Sequence, residues 1–157
     1  MEIERKFVPD TLPAHLEDFP SEELVQGYLC TSPVVRVRRE GSRFLLTYKG
    51  PGLLSREEYN LPLTEEAFVH LLPKCDGRLI SKTRYRLPVP GRTDLTAELD
   101  VFHGDLSGLV MLETEFASAE DASSFTAPEW FGREVTGDPH YQNSYLSKGG
   151  SVPHEEK

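Results

Sequence analysis

Cysteine and long apolar runs are scarce in this chain. Only two of its 157 residues are cysteines, Cys30 and Cys75, and they form no CxxC pair. Two distant cysteines, in a chain without a recognisable signal peptide, do not make a disulfide framework. No stretch approaches the roughly 18 consecutive apolar residues that a transmembrane helix needs. We therefore expect a cytoplasmic protein with reduced thiols and no membrane partner.

Basic residues are also fewer than acidic ones. Lys and Arg total 17 against 26 Asp and Glu, so the formal net charge is −9. This balance argues against nucleic acid as a partner, and any local cluster of basic residues needs a local explanation. The length fits one domain, which we expect over residues 1–147, followed by a disordered tail over residues 148–157. Monomer and homodimer are both left open.

Short segments with strand-like alternation, separated by turn residues, dominate what remains. We predict about eight strands, over residues 1–7, 24–30, two within 33–50 around a turn at 40–42, 55–63, 78–89, 95–104 and 108–117. Helices are predicted over residues 64–75 and over residues 118–130, the second stopped by Pro128. Residues 21–24 resemble a helix start or a tight turn. Short connections favour antiparallel pairing, and closure into a barrel would remove the exposed edges.

Charged side chains alternate with apolar ones along nearly every predicted strand. Because neighbouring side chains in a strand point to opposite faces, each strand has one charged face. The charged faces carry Glu2, Glu4 and Lys6; Arg36 and Arg38; Glu58 and Asn60; Lys82 and Arg84; Glu98 and Asp100; and Glu113 and Glu115. For any single strand, a half-exposed sheet with its polar face in water explains this pattern.

The charges are nevertheless segregated, with two acids on one strand and two bases on another. If the amphipathic helices pack outside, the charged faces point into a solvated barrel interior. So many buried charges are tolerated only if they pair, bind a metal or bind a charged ligand. A polyanion together with a divalent metal ion satisfies all of them.

In this ordered series the chain resembles the CYTH superfamily, also called triphosphate tunnel metalloenzymes. The opening "EIERK" matches the ExExK signature, and the similarity continues through "VRVRR", "LTYKG", "KTRYRL", "LETEF" and "GREVTGDPHYQN". The resemblance implies an α+β, mainly β fold, a closed eight-stranded antiparallel barrel with a few flanking helices. It also implies a triphosphate bound inside and Mg²⁺ or Mn²⁺ held by acidic side chains. The length is most similar to short single-domain bacterial members, many of which hydrolyse inorganic tripolyphosphate.

The resemblance also implies roles for particular residues. The basic residues would grip phosphate oxygens: Lys6, Arg36, Arg38, Lys49, Lys82 and Arg84. The metal ligands would come from Glu2, Glu4, Glu58, Asn60, Glu98, Asp100, Glu113 and Glu115, since hard divalent cations prefer oxygen. Lys6, Tyr28 and Glu58 would serve the reaction itself.

Two positions depart from the family pattern. Asn60 stands where many short members have an acid, and Ala97 stands where many have Trp. We expect a second metal site to be weaker here or mediated by water. Arg56 and Arg86 are assigned either to the site or to its rim, and Arg39 to the solvated surface.

Three functions are compatible with the resemblance. The first is a metal-dependent triphosphatase acting on tripolyphosphate, a nucleoside triphosphate or thiamine triphosphate. The second is an adenylate cyclase of the CYTH type, which needs an adenine pocket for which the sequence offers no dedicated residues. The third is a non-catalytic polyphosphate- or nucleotide-binding protein, which could dispense with some of the acids.

Overall fold

Ten β-strands and three α-helices are found in residues 1–52 and 54–149, the part of the chain that the computed structural model describes. The strands are β1 (Glu2–Val8), β2 (Ser21–Thr31), β3 (Val34–Glu40), β4 (Arg43–Lys49), β5 (Ser55–Arg56), β6 (Glu58–Pro62), β7 (Asp76–Val89), β8 (Arg92–Phe102), β9 (Val110–Glu115) and β10 (Arg133–Glu134). The helices are α1 (Glu65–Leu71), α2 (Ala119–Ser124) and α3 (Asn143–Ser147). Most of the predicted tail, residues 150–157, lies outside the described residues.

The strands form a nearly closed antiparallel barrel. Their order is β10-β1-β9-β8-β7-β2-β3-β4-β6, and β5 pairs with β1. Only Glu57 separates β5 from β6, so the strand predicted over residues 55–63 bends and pairs with β1 at one end and with β4 at the other. With β5 and β6 counted as one strand and the two-residue β10 set aside, the barrel has the eight strands that were predicted.

Two predicted hairpins are confirmed. β3 and β4 pair from Val34–Lys49 to Glu40–Arg43, around a two-residue turn that begins with Gly41 at a φ of 57°. The second, β7 and β8, turns at Pro90 and Gly91, where Gly91 has a φ of 77°. A positive φ favours glycine because a Cβ is strained there.

The helix start or turn predicted over residues 21–24 is wrong. These residues begin β2, and Leu24 is completely buried between Glu40 of β3 and Lys82 of β7. Pairing on both sides outweighs the local helix-start pattern, as tertiary context often does.

The helix predicted over residues 118–130 is shorter than expected. α2 ends at Ser124 because Phe125 turns to extended backbone, with a φ of −70° and a ψ of 127°. Its ring then packs 5.2 Å from Phe116 and 6.0 Å from Phe131, between ring centroids. Burial of this aromatic ring, rather than Pro128, ends the helix.

Apolar side chains close one end of the barrel interior. On five strands the inward position next to a charged residue is apolar, and these residues are Val8, Val34, Ile80, Phe102 and Met111. They join Tyr141 and Leu146 of the C-terminal segment in one buried cluster. A second cluster lies on the outer face of the sheet, where Phe7 meets Phe131 edge to face at 5.1 Å.

The helices are short; α1 and α2 pack outside the barrel, whereas α3 helps to close one end of its interior. α1 begins at the N-cap Thr64, whose hydroxyl accepts a hydrogen bond from the Ala67 amide, and it packs against β3 and β4. α3 packs against β7 and β2. None of the helices within the described ranges has the length and apolar character to cross a membrane.

Candidate functional site

A cavity of about 360 Å³ lies in the charged half of the barrel. It is lined by all of the predicted site residues except Lys82 and Asp100. Charged side chains were therefore correctly predicted to face inward. The further lining residues are Val34, Glu40, Arg43, Leu45, Arg56, Thr136, Gln142, Asn143 and Ser144.

The basic side of the cavity is built by β3 and β7. Arg36 and Arg38 are two residues apart on β3, so both point inward, and Arg84 projects from β7. Arg36 is only 5% exposed, yet it makes no hydrogen bond or ion pair with any described residue, and its Nε is fully buried. Burial, followed by the charges of Arg36 and Arg84, lowers the pKa of Arg38 to about 10. A buried cluster of guanidinium groups with an unpaired member favours a bound anion.

The acidic side is built by β1 and β9. Glu4 lies directly opposite Glu115 in the strand register, and its carboxyl group makes no direct polar contact within the described ranges. Burial, together with the charges of Glu113 and Glu2, raises the pKa of Glu4 to about 8. Burial and a hydrogen bond with Glu58 raise the pKa of Glu2 to about 7. Carboxyl groups that resist ionisation in this way mark a place where a cation would be stabilised.

Lys49 lies between Glu2 of β1 and Glu58 of β6. Its Nζ lies 2.9 Å from a Glu2 oxygen and 3.2 Å from a Glu58 oxygen. Burial alone would raise the pKa of Glu58, but hydrogen bonding to Glu2 and the charge of Lys49 lower it to about 2. Glu58 also accepts a hydrogen bond from Asn60 Nδ2 at 2.8 Å. The Asn60 amide oxygen, the atom predicted to bind metal, accepts from the Thr47 hydroxyl at 2.6 Å.

Lys6 lies between the acidic side and the C-terminal segment. Its Nζ is 3.4 Å from a Glu113 oxygen and donates to the Tyr141 carbonyl at 3.2 Å. Burial alone would lower the pKa of Lys6, but the charges of Glu113 and Glu4 outweigh it and raise the pKa above its ordinary value. The nearby Tyr28 is 2% exposed and lies opposite Arg36 in the register.

Lys82 and Asp100 also point into the barrel, but they do not line the cavity. Lys82 Nζ is 2.7 Å from Asp100 Oδ2, and both side chains are essentially inaccessible. Asp100 also accepts a bidentate pair of hydrogen bonds from Arg84, at 2.8 and 2.9 Å. Burial lowers the pKa of Lys82 to about 7. Of these three residues, only Arg84 reaches the cavity lining.

The carboxylates are of the ligand type that a divalent metal ion prefers, but they are not arranged around a common metal position in this structure. Across the described ranges, no three or more Asp, Glu, His or Cys side chains are arranged to hold a metal ion. Glu2 and Glu113 instead pair with Lys49 and Lys6. Carboxylate oxygens on the neighbouring strands β1 and β9 are nevertheless the ligand type that Mg²⁺ and Mn²⁺ prefer.

Three further arginines were assigned from the sequence to the site, its rim or the surface. Arg56 lines the cavity and donates to the Gly50 carbonyl at 2.9 Å. Arg86 does not line it and pairs with Glu22 at 3.3 Å. Arg39 is exposed, as predicted.

Some lining residues were not predicted. Glu40 continues the inward alternation of Arg36 and Arg38, so that spacing could have identified it. Gln142 and Asn143 belong to the "HYQN" segment, whose uncharged side chains gave no signal beyond the family resemblance.

The CYTH domain family model matches residues 1–137 of the chain. An inorganic triphosphatase of Nitrosomonas europaea is 43% identical over 150 residues, covering 93% of this chain and 96% of that protein. An inorganic triphosphatase of Acetivibrio thermocellus is 39% identical over 127 residues, covering 78% of each chain. Among solved structures, that of the inorganic triphosphatase NE1496 has a TM-score of 0.70 and 38% identity, covering 98% of this chain and 97% of the other.

Proposed function

The chain belongs to the CYTH domain family, and we propose that it is a metal-dependent triphosphatase that hydrolyses the terminal phosphoryl group of inorganic tripolyphosphate. Two relatives, 43% identical over 150 residues and 39% identical over 127 residues, are named inorganic triphosphatases. The substrate is a small molecule with three phosphoryl groups. Nucleoside and thiamine triphosphates share the same chain of phosphates and are secondary candidates. Cytoplasmic location and oligomeric state stay predictions.

The observation that carries the proposal is the unpaired Arg36. Its residue is 5% exposed, its Nε is fully buried, and its guanidinium lines the cavity without a hydrogen bond or ion pair to the described part of the chain. Arg38 and Arg84 line the same cavity and add positive charge. The phosphate groups of a linear triphosphate would supply acceptor oxygens to all three, and guanidinium forks suit such oxygens.

The opposite side of the cavity supplies the candidate metal ligands. Glu2, Glu4, Glu113 and Glu115 would hold the Mg²⁺ or Mn²⁺ ion, with Glu58 and Glu98 available to a second ion. When bound, the ion would offset negative charge on the phosphoryl oxygens. Asp100 is already paired with Lys82 and Arg84, so we assign it to holding Arg84 in place rather than to binding the metal ion.

The reaction consumes one water molecule and releases phosphate and pyrophosphate. Phosphoryl transfer depends mainly on positioning and charge neutralisation. In the proposed assignment, Lys6 holds a terminal phosphoryl oxygen and Glu58 accepts a hydrogen bond from the attacking water. Glu58 suits this orienting role because its depressed pKa keeps it ionised at neutral pH. Tyr28, close to Lys6, would support the same end of the substrate.

Inorganic tripolyphosphate is favoured over nucleotides because the cavity offers no site for a base. Tyr28 is the one aromatic residue in the lining of the described cavity, and it is almost fully buried. A cyclase would need an adenine platform, and a pure binding protein would not need acids on β1, β9 and β6. Both alternatives are therefore weaker.

Product analysis separates the three functions. Phosphate, pyrophosphate and cyclic AMP are measured from tripolyphosphate, ATP and thiamine triphosphate with Mg²⁺ or Mn²⁺. We expect phosphate and pyrophosphate from tripolyphosphate, and no cyclic AMP from ATP. A preference of about a hundredfold in kcat/KM for an organic substrate, or about 2.7 kcal/mol, would contradict the choice of tripolyphosphate. Tight binding without turnover would favour a binding protein.

A further inference from the structure

Gln26 is a buried polar residue next to the basic side of the cavity, and none of the charge patterns identified it. It lies on β2, directly opposite Arg38 of β3 in the strand register. Its side chain is completely buried and does not itself line the cavity. Any effect of Gln26 on a bound anion must therefore pass through its neighbours.

The Gln26 amide contacts two predicted site residues. Its Oε1 accepts a hydrogen bond from Arg38 Nε at 2.6 Å, and its Nε2 lies 3.4 Å from the Tyr28 hydroxyl, at the long limit for donation. Irregular pairing of β2 with β7 occurs between Gln26 and Tyr28. Both side chains nevertheless point into the barrel.

The hydrogen bonds of Arg38 leave one edge of the guanidinium available. Nε donates to Gln26, and Nη1 donates to Glu40 at 3.0 Å. Nη2 makes no hydrogen bond with the part of the chain described. Since Arg38 lines the cavity, the two anchors fix the plane of the guanidinium and leave Nη2 for a ligand oxygen.

The two anchors differ in charge, and this difference matters. Glu40 is acidic but is shared with Arg43, whose Nη2 lies 2.7 Å from its other oxygen. Gln26 is neutral, so it holds the guanidinium without reducing its positive charge. A carboxylate at this position would form an ion pair with Arg38 and compete with the phosphate groups of a substrate.

We propose that Gln26 is a positioning residue for triphosphate binding, which orients Arg38 through a neutral hydrogen bond and preserves its charge for the substrate. This inference rests on the proposed function, because it concerns the affinity of the same cavity for tripolyphosphate.

The test compares two near-isosteric variants with a matched control. Gln26→Met removes the acceptor, and Gln26→Glu keeps an acceptor but adds a negative charge. Thr114→Val is the control, because Thr114 is equally buried in a strand and its hydroxyl has no partner among the described residues. KM and kcat are measured for tripolyphosphate with Mg²⁺, and thermal unfolding is followed for each protein.

We expect both Gln26 variants to raise KM at least about tenfold, equivalent to about 1.4 kcal/mol. The change in kcat should be smaller, because Arg38 binds ground state and transition state alike. Thr114→Val should leave KM unchanged whatever its effect on thermal unfolding. A purely structural role would lower stability without separating KM from kcat.

A double-mutant cycle tests whether the effect passes through Arg38. In an Arg38→Ala background, Gln26→Met should change KM by less than about twofold, since the group it orients is gone. A further tenfold change in that background would overturn the inference. If Gln26→Met does not fold, Gln26→Glu decides, because an unchanged KM for that variant contradicts the need for a neutral amide.

The proposed function and this inference fail in different ways. Wild-type protein that neither binds nor hydrolyses tripolyphosphate would refute both. Wild-type turnover with unchanged KM in both Gln26 variants would refute the inference alone.

Discussion

Replacing Asp100 by Asn should destabilise the barrel whether or not a metal ion is present. Asp100 holds Lys82 at 2.7 Å and Arg84 at 2.8 and 2.9 Å, and its own side chain is 1% exposed. Asn keeps the shape but removes the charge. Both buried cations then lose their ion pair with residue 100, and Arg84 keeps its pair with Glu98 at 3.5 Å.

Breaking a buried pair by removing one partner costs about 3–5 kcal/mol. Lys82 limits this cost, because burial has already lowered its pKa to about 7 and it can lose its proton when Asp100 is gone. We therefore expect the lower end, about 3 kcal/mol. For a domain of this size each kcal/mol shifts Tm by about 2–4 °C, which gives a fall of about 6–12 °C.

Thermal unfolding in EDTA and in Mg²⁺ measures this effect. The matched control is Asp94→Asn on the same strand, because Asp94 also binds an arginine bidentately, at 2.9 and 2.8 Å, but its side chain is 60% exposed. That variant should shift Tm much less. A fall in Tm of Asp100→Asn that appears only in Mg²⁺ would favour Asp100 as a metal ligand instead. A Tm close to that of the wild-type protein in both conditions would show that the buried ion pairs do not stabilise the barrel.

Three further perturbations address the cavity and the fold. Arg36→Ala should raise KM for tripolyphosphate by about 10- to 100-fold, since a charge-assisted hydrogen bond contributes about 1.5–3 kcal/mol; an unchanged KM in steady-state kinetics would contradict the anion site. Glu4→Gln should lower kcat and shift activation to higher Mg²⁺ concentration in a metal titration, whereas a loss of substrate affinity alone would contradict the assignment of Glu4 to the metal. A hydrogen bond from Arg5 lowers the pKa of Glu134 below the ordinary 4.5, so the stability from this pair is present above that pH and is lost as the pH falls through the lower pKa of Glu134 in the folded protein. Glu134→Gln should accordingly cost up to about 1 kcal/mol at neutral pH and progressively less as the pH falls below the ordinary pKa of Glu, as measured by denaturant unfolding, and a cost that does not fall with pH would contradict the ion pair.

The barrel could be predicted from the alternation of charged and apolar residues, but the depth at which each inward side chain lies within the barrel could not. The period of two places Lys82 and Arg84 on the same inward face, and the structure agrees. It does not show that Lys82 lies beside Phe102 in the apolar half, while Arg84 reaches the cavity. Depth depends on how neighbouring strands are staggered, which a single strand does not reveal.

The roles of uncharged residues in and beside the cavity could not be predicted either. Gln26 lies two positions before Tyr28 on the same face, but its role depends on Arg38 lying opposite it across β2 and β3. Asn60 was predicted as a ligand from its position, whereas its amide oxygen is engaged by Thr47 on the neighbouring strand. In both cases a cross-strand partner decides what the amide does, and register could not be predicted for these strands.

We propose that the charged barrel interior uses a divalent metal ion to hydrolyse tripolyphosphate. Phosphorus NMR of tripolyphosphate incubated with the wild-type protein and Mg²⁺ or Mn²⁺ tests it most directly, because all three phosphate species are resolved in one experiment. We expect phosphate and pyrophosphate to appear in equal amounts and EDTA to stop the reaction. Tripolyphosphate that stays intact with either metal, or turnover that continues undiminished in EDTA, would contradict it.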